Sequence, residues 1–202
     1  YATHLRYTSC IMKACIVDYS VGNIGSVAKA LDHLSVDYRV SYERSVVEQS
    51  DLLILPGQGS FGTAVDRLDA TGLKESLVKH VQQQKPFLGI CVGFQLLFEG
   101  SEEKGFHKGL GLLPGKLKQF PTDNSALKVP QMGWNKLNCV SDVNGIFKTI
   151  EEELYVYFIH SYYLETCSES FVSCTSHYGI DFVSVVQKEH FLACQFHPEK
   201  SG

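Results

Sequence analysis

The stretch Lys85-Pro86-Phe87-Leu88-Gly89-Ile90-Cys91-Val92-Gly93-Phe94-Gln95-Leu96-Leu97-Phe98-Glu99 constrains this chain more than any other. Phe87 to Ile90 is an apolar run of the length of a buried strand, and Phe94, Leu97 and Phe98 follow at helical spacing. The segment therefore reads as strand, sharp turn, helix, with Cys91 on the turn. Gly89 and Gly93 flank it as the glycines flank the serine of a Gly-x-Ser-x-Gly nucleophile elbow, where neighbours without Cβ atoms allow the turn. A thiol so placed sits at a helix N-terminus, which favours the attacking thiolate. A free cysteine is more often a small buried hydrophobe, and the elbow pattern alone leaves the two readings balanced.

The elbow belongs to a wider alternation of strands and helices. Ala14 to Val17 reads as a first strand, followed by the turn Asp18-Tyr19-Ser20-Val21-Gly22-Asn23. Ile24, Val27, Ala28, Leu31 and Leu34 repeat at three and four residues and predict an amphipathic helix. Val36 to Ser41 alternates as a strand, and Asp51 to Leu55 reads as a central strand of a parallel sheet. Leu73, Leu77, Val78 and Val81 give the helix leading into the elbow strand. After Glu103, glycines 105, 109, 111 and 115 mark turns. From Leu117 onward short alternating strands dominate, at 155–159, 171–174, 182–186 and 191–196, so the second half is more antiparallel. The prediction is a three-layer α/β fold with a mixed, largely parallel central sheet.

A nucleophilic cysteine needs a base, and the base needs an orienting group. Phe196-His197-Pro198-Glu199-Lys200 supplies both near the end of the chain. Pro198 biases His197 toward the extended conformation, in which residues two apart share a side, so Glu199 can reach the imidazole.

Through Gly89 to Glu103 and Phe196 to Gly202, the chain resembles the class I, triad-type glutamine amidotransferases. More narrowly it resembles the glutaminase subunits of imidazole glycerol phosphate synthases of histidine biosynthesis, from about Met12 to the last residue. The resemblance implies Cys91 as nucleophile, His197 as proton shuttle and Glu199 as its orienting partner. It makes Pro56-Gly57-Gln58-Gly59 the oxyanion strand, with Gly59 and the Val92 N–H binding the developing charge. Gly57, Gln95, Ser161 and Tyr162 would hold the glutamine substrate. The partner implied is a (βα)8-barrel cyclase that consumes the ammonia, with Asn23, Gln58, Met132, Trp134, Tyr157 and Lys200 at the interface. No cofactor and no metal are implied. Two positions depart from the family pattern: Ser20 stands where a glycine is usual, and Gln58 replaces a small apolar residue. The second bears on partner contact and on how easily the local peptide reorients.

Without the resemblance, several of these residues have blander readings. A glycine-rich turn after a strand is usually only a tight connection, a lone Trp is usually core, and a histidine at a strand end is usually structural, which is the reading kept for His160. The glycine-rich turn lacks the Lys-Ser/Thr of a phosphate loop. The other histidines show no metal-ligand spacing.

At 202 residues the chain is read as one domain, residues 12–202, with residues 1–11 an N-terminal extension or expression remnant. A covering C-terminal helix is expected beyond the last residue. A formal net charge of -4 gives no electrostatic case for nucleic acid or an anionic membrane. No apolar run reaches the ~18–20 residues of a membrane span, and the default location is the cytoplasm. Seven cysteines, an odd number with no Cys-x-x-Cys pair, suggest neither a disulfide framework nor a zinc site. Most are expected to be reduced, with Cys15, Cys174 and Cys194 in the core. The same residues are also compatible with a paralogous amidotransferase with a different ammonia acceptor, such as a surface sugar, a silent regulatory module on the same scaffold, and a Cys-His hydrolase of peptides.

Overall fold

The computed structural model describes residues 12–122, 127–142, 145–147, 153–165, 168, 170–188 and 190–202. The extension read at 1–11, including Cys10, and Cys167 lie outside the described residues.

The chain opens with β1 (Ala14–Val17), α1 (Ile24–His33), β2 (Tyr38–Ser41), α2 (Arg44–Gln49) and β3 (Leu52–Gly57). It continues through α3 (Phe61–Thr71), α4 (Lys74–Gln82), β4 (Phe87–Cys91) and the one-turn α5 (Val92–Gln95). Short strands follow: β5 (Gly100–Ser101), β6 (His107–Lys108), β7 (Lys116–Gln119), β8 (Gln131–Lys136), β9 (Asn138–Cys139), β10 (Tyr155–His160), β11 (Tyr162–Leu164), β12 (Val172–His177), β13 (Asp181–Lys188) and β14 (Phe191–Cys194). The main sheet runs β2-β1-β3-β4-β14-β13-β11-β7-β5-β6, and β12, paired with β13 and β9, lies off this path.

From β2 to β14 every neighbouring pair is parallel, as the apolar runs of β1 and β3 require: all four residues of β1 and five of the six in β3 are buried. The crossover from β1 to β2 runs one way along the sheet and the next two run the other, so right-handed connections send α1 to one face and the later helices to the opposite one. The packing of α2 on α4 and of α3 on α4 fits this division. Beyond β14 the sheet turns antiparallel through β13, as the alternating second half predicts.

Two helices escape the periodicity reading. One is α2, too short to show a repeat. The other, α3, carries recognisable signals: Ser60 caps it by accepting the Thr63 N–H at 3.3 Å, Phe61 and Leu68 are buried at helical spacing, and Gly72 ends it in the left-handed conformation.

The expectation that Cys15, Cys174 and Cys194 lie in the core holds, and the expectation of unpaired thiols needs correction at one pair. Cys139 of β9 and Cys174 of β12 form a disulfide, because the antiparallel register sets them directly opposite each other. The two cysteines are 35 residues apart, so no sequence spacing announces the pair. Cys15, Cys91 and Cys194 are free and buried.

Candidate active site

β4 and β14 are adjacent and parallel, with Ile90 opposite Cys194, so both chains leave the sheet at the same edge. Open α/β sheets bind ligands outside the carboxyl ends of their strands. Cys91 ends β4 there, and His197 follows β14 by three residues.

Cys91 takes φ 54° and ψ -108°, a conformation that costs a non-glycine residue roughly 1–3 kcal/mol. The surrounding packing holds it: a Cβ on Gly93 would overlap the Leu55 carbonyl oxygen, and one on Gly57 would lie 2.6 Å from the Gly93 nitrogen and from Val92 Cβ. Glycine on both sides of this contact lets β3 and the elbow approach closely. Gly57 is the register partner of Cys91. The helix expected after the elbow is one turn long. The Leu96, Leu97 and Phe98 carbonyls are taken by N–H groups of residues 110–113, and Gly100 then joins the sheet. So short a helix offers the sulfur little dipole support.

His197 Nδ1 and Glu199 Oε1 are 2.8 Å apart, both side chains 2% exposed. The contact is made differently from the extended geometry expected. Pro198–Lys200 is a 3-10 turn, for which proline's fixed φ suits the first position, and the turn rather than strand alternation carries Glu199 back to the ring. Asn23, ahead of α1, donates to the same carboxylate oxygen at 3.4 Å. Burial pushes the His197 pKa down, but the Cys91 sulfur and the Glu199 carboxylate outweigh it and raise it to about 9. Burial pushes the Glu199 carboxyl up, and the His197 contact overrides it and holds it below the ordinary value.

A cavity of about 310 Å³ opens over these groups, with room for roughly ten waters. Its lining unites eight residues singled out from sequence: Gln58, Gly59, Cys91, Val92, Gln95, Ser161, Tyr162 and His197. Gly59 has φ 91°, open to glycine. Gln95 is almost fully buried, its Nε2 bonded to the Tyr162 carbonyl at 3.2 Å and to Gln195 Oε1 at 2.9 Å.

Four further residues line it, and two of these, both titratable, have no site role in the sequence reading. Glu103 accepts the Phe61 N–H at 2.7 Å, which ties the wall to the start of α3. It sits in Ser-Glu-Glu, which reads on paper as a solvated charge run. His160, read as structural, does pack among Phe120, Phe158 and Phe182, and it also borders the cavity. Burial, with His197 nearby, lowers its pKa to about 4 against the Tyr162 carbonyl, so it is neutral and donates from Nδ1 to that oxygen at 2.9 Å.

Beside the cavity, whose wall includes Ile159 and His160 of β10, β8 and β10 form a separate antiparallel ribbon. Alternation turns Val156, Phe158 and His160 inward and leaves Tyr155 and Tyr157 more exposed. Met132 and Trp134 on β8 are 62% and 56% exposed, so Trp134 is not a core residue. Trp134 meets Tyr157 edge to face, and Lys200 Nζ lies 6.0 Å from the Tyr157 ring centre. The Tyr157 carbonyl accepts the His197 N–H at 2.9 Å, which joins the ribbon to the His197–Glu199 pair.

Residues 15–202 match the family model described as Glutamine amidotransferase class-I. The chain is 43% identical over 190 residues to "Imidazole glycerol phosphate synthase subunit HisH" of Syntrophotalea carbinolica, covering 92% of each chain. It is 47% identical to the protein of the same name from Halalkalibacterium halodurans, covering 93% of this chain and 88% of that one. Among solved structures, "Crystal structure of glutamine amidotransferase" superposes with a TM-score of 0.70 at 19% identity, covering 92% of this chain and 90% of that one, a likeness of fold. "Structure of PurLQS from Thermotoga maritima" gives 0.67 at 22%, with 93% and 88% covered.

Proposed function

The chain belongs to the class-I glutamine amidotransferase family, and we propose that within it the protein is the glutaminase subunit of an imidazole glycerol phosphate synthase, delivering ammonia to a (βα)8-barrel cyclase subunit in the cytoplasm. The names of the relatives support the assignment. The observation that carries the chemistry is the buried His197–Glu199 pair facing a cavity that also holds Cys91.

In this reading the Cys91 thiolate attacks the γ-amide carbon of glutamine while His197 carries the proton. The oxyanion is received by the Val92 N–H and the backbone at Gly59. Collapse passes the proton from His197 to the departing nitrogen, and ammonia leaves behind a γ-glutamyl thioester. His197 then takes a proton from water, whose oxygen attacks the thioester and releases glutamate and the Cys91 sulfur. Glu199 holds the imidazole and supports its positive charge. Ser161 and Tyr162 bind the α-amino and α-carboxylate ends of the substrate, with the Gln95 oxygen beside them. The Glu103 carboxylate, already on the cavity wall, suits the α-ammonium group by charge.

The ribbon is the partner surface in this reading. Met132, Trp134 and Tyr157 on the ribbon and Lys200 on the turn beside it combine apolar, aromatic and cationic groups, with Asn23, bonded to Glu199, and Gln58, on the cavity wall, completing the surface in this reading, and such mixtures favour protein contacts. An electrophilic glutamine analogue should label Cys91 stoichiometrically, and ammonia release should be slow alone and rise by orders of magnitude with the cyclase subunit. Labelling elsewhere, with Cys91 untouched, would overturn the reading.

A further inference from the structure

Gln195 is fully buried just past β14, and the register that sets Cys194 opposite Ile90 sets Gln195 beside Cys91. One end of its amide lies 3.8 Å from Cys91 Sγ and the other 2.9 Å from the Gln95 amide. The nitrogen and oxygen of an amide are distinguished by their partners. Here one partner has a single role. The Tyr162 carbonyl can only accept, so the Gln95 atom 3.2 Å from it is the nitrogen. That same nitrogen contacts Gln195, so the Gln195 atom facing it is the oxygen, and the end facing the sulfur is the N–H₂ group. Two successive assignments thus run from one backbone carbonyl on the substrate wall to the nucleophile.

We propose that Gln195 is a further catalytic residue, whose amide N–H donates to the Cys91 sulfur and stabilises the thiolate that attacks, with Gln95 the positioning residue that fixes this orientation. The inference rests on Cys91 being the nucleophile. A hydrogen bond to a charged acceptor is stronger than one to a neutral acceptor, so this donor favours thiolate over thiol. It also compensates for the single-turn helix at the elbow, whose dipole is short. The relay makes the Tyr162 segment both a wall of the substrate site and the anchor of the sulfur's donor.

The test is alkylation of the full chain by iodoacetamide over a pH series, read at Cys91 by peptide mass mapping, with glutamine kcat and KM measured beside the cyclase subunit. Gln195→Met keeps the bulk and removes the donor. It should slow Cys91 alkylation at neutral pH by about tenfold and move the alkylation midpoint upward, and kcat should fall while KM stays within about twofold. Gln195→Glu, which puts a carboxylate against the sulfur, should move the midpoint further. Gln95→Met frees the Gln195 amide and should move it in the same direction by less. Folded Gln195 variants that alkylate along the wild-type curve would overturn the proposal. Were both to fail to fold, an unmoved curve in Gln95→Met would overturn it equally. Failure of a glutamine analogue to label wild-type Cys91 is a different result and would remove the nucleophile itself.

Discussion

At the residue scale, the buried His197–Glu199 pair sets a pH window. The His197 pKa is raised from 6.5 to about 9, so the stability it contributes is fully present below 6.5 and is lost as pH rises through about 9. The Glu199 carboxyl is held below its ordinary 4.5, so its contribution is present above 4.5 and is lost as pH falls through the lowered value. The two overlap fully between these limits. In thermal melts, the gap between wild type and Glu199→Gln should be widest near about pH 5.5 and narrow toward about pH 9. A gap that widened with pH would contradict the assignment. Ser20 offers a second prediction. It holds φ 64° on the surface, a conformation that costs an L side chain roughly 1–2 kcal/mol, with its N–H bonded to the Asp18 carboxylate at 2.9 Å. Ser20→Gly should therefore stabilise the protein by about 0.5–1 kcal/mol in urea melts and leave glutaminase activity unchanged.

At the element scale, the elbow is fixed by close backbone approach, and the ribbon by strand alternation. Gly93→Ala would drive a methyl group into the Leu55 carbonyl, which the paired strands β3 and β4 cannot move aside. It should cost about 3 kcal/mol or more, seen as a lower urea midpoint, with loss of Cys91 labelling by a glutamine analogue in whatever protein remains folded. The ribbon makes the opposite prediction because its outer face carries little of the fold. Trp134→Ala and Lys200→Ala should shift stability by no more than about 1 kcal/mol, while each weakens cyclase binding and the stimulation of glutamine hydrolysis. Titration calorimetry with the cyclase subunit measures this. Unchanged affinity in both variants would remove the ribbon and the adjoining 3-10 turn from the interface.

At the scale of the whole molecule, the parallel half was legible in sequence because its strands are buried on both faces and its helices carry an apolar repeat. β1, α1, β3, α4 and β4 were all visible in this way, and their order implied the doubly wound sheet. The elbow and the His-x-Glu segment were legible for a chemical reason: their residue types and glycine spacing are required locally, whatever surrounds them. What the sequence could not state was the distance between these two segments, about a hundred residues apart along the chain. Only the parallel pairing of β14 with β4 brings His197 over Cys91, and strand pairing is decided by competition among all the strands for partners. That register also delivers Gln195 to the sulfur, and the separate antiparallel register of β9 and β12 delivers Cys139 to Cys174, neither of which any spacing encodes. Glu103 and His160 also needed the fold, because a charged run and a strand-end histidine look ordinary until a cavity forms against them. The sequence by itself determined the local conformations and the chemical groups available. The tertiary structure decided which of them meet, because long-range register depends on burying the whole sheet at once.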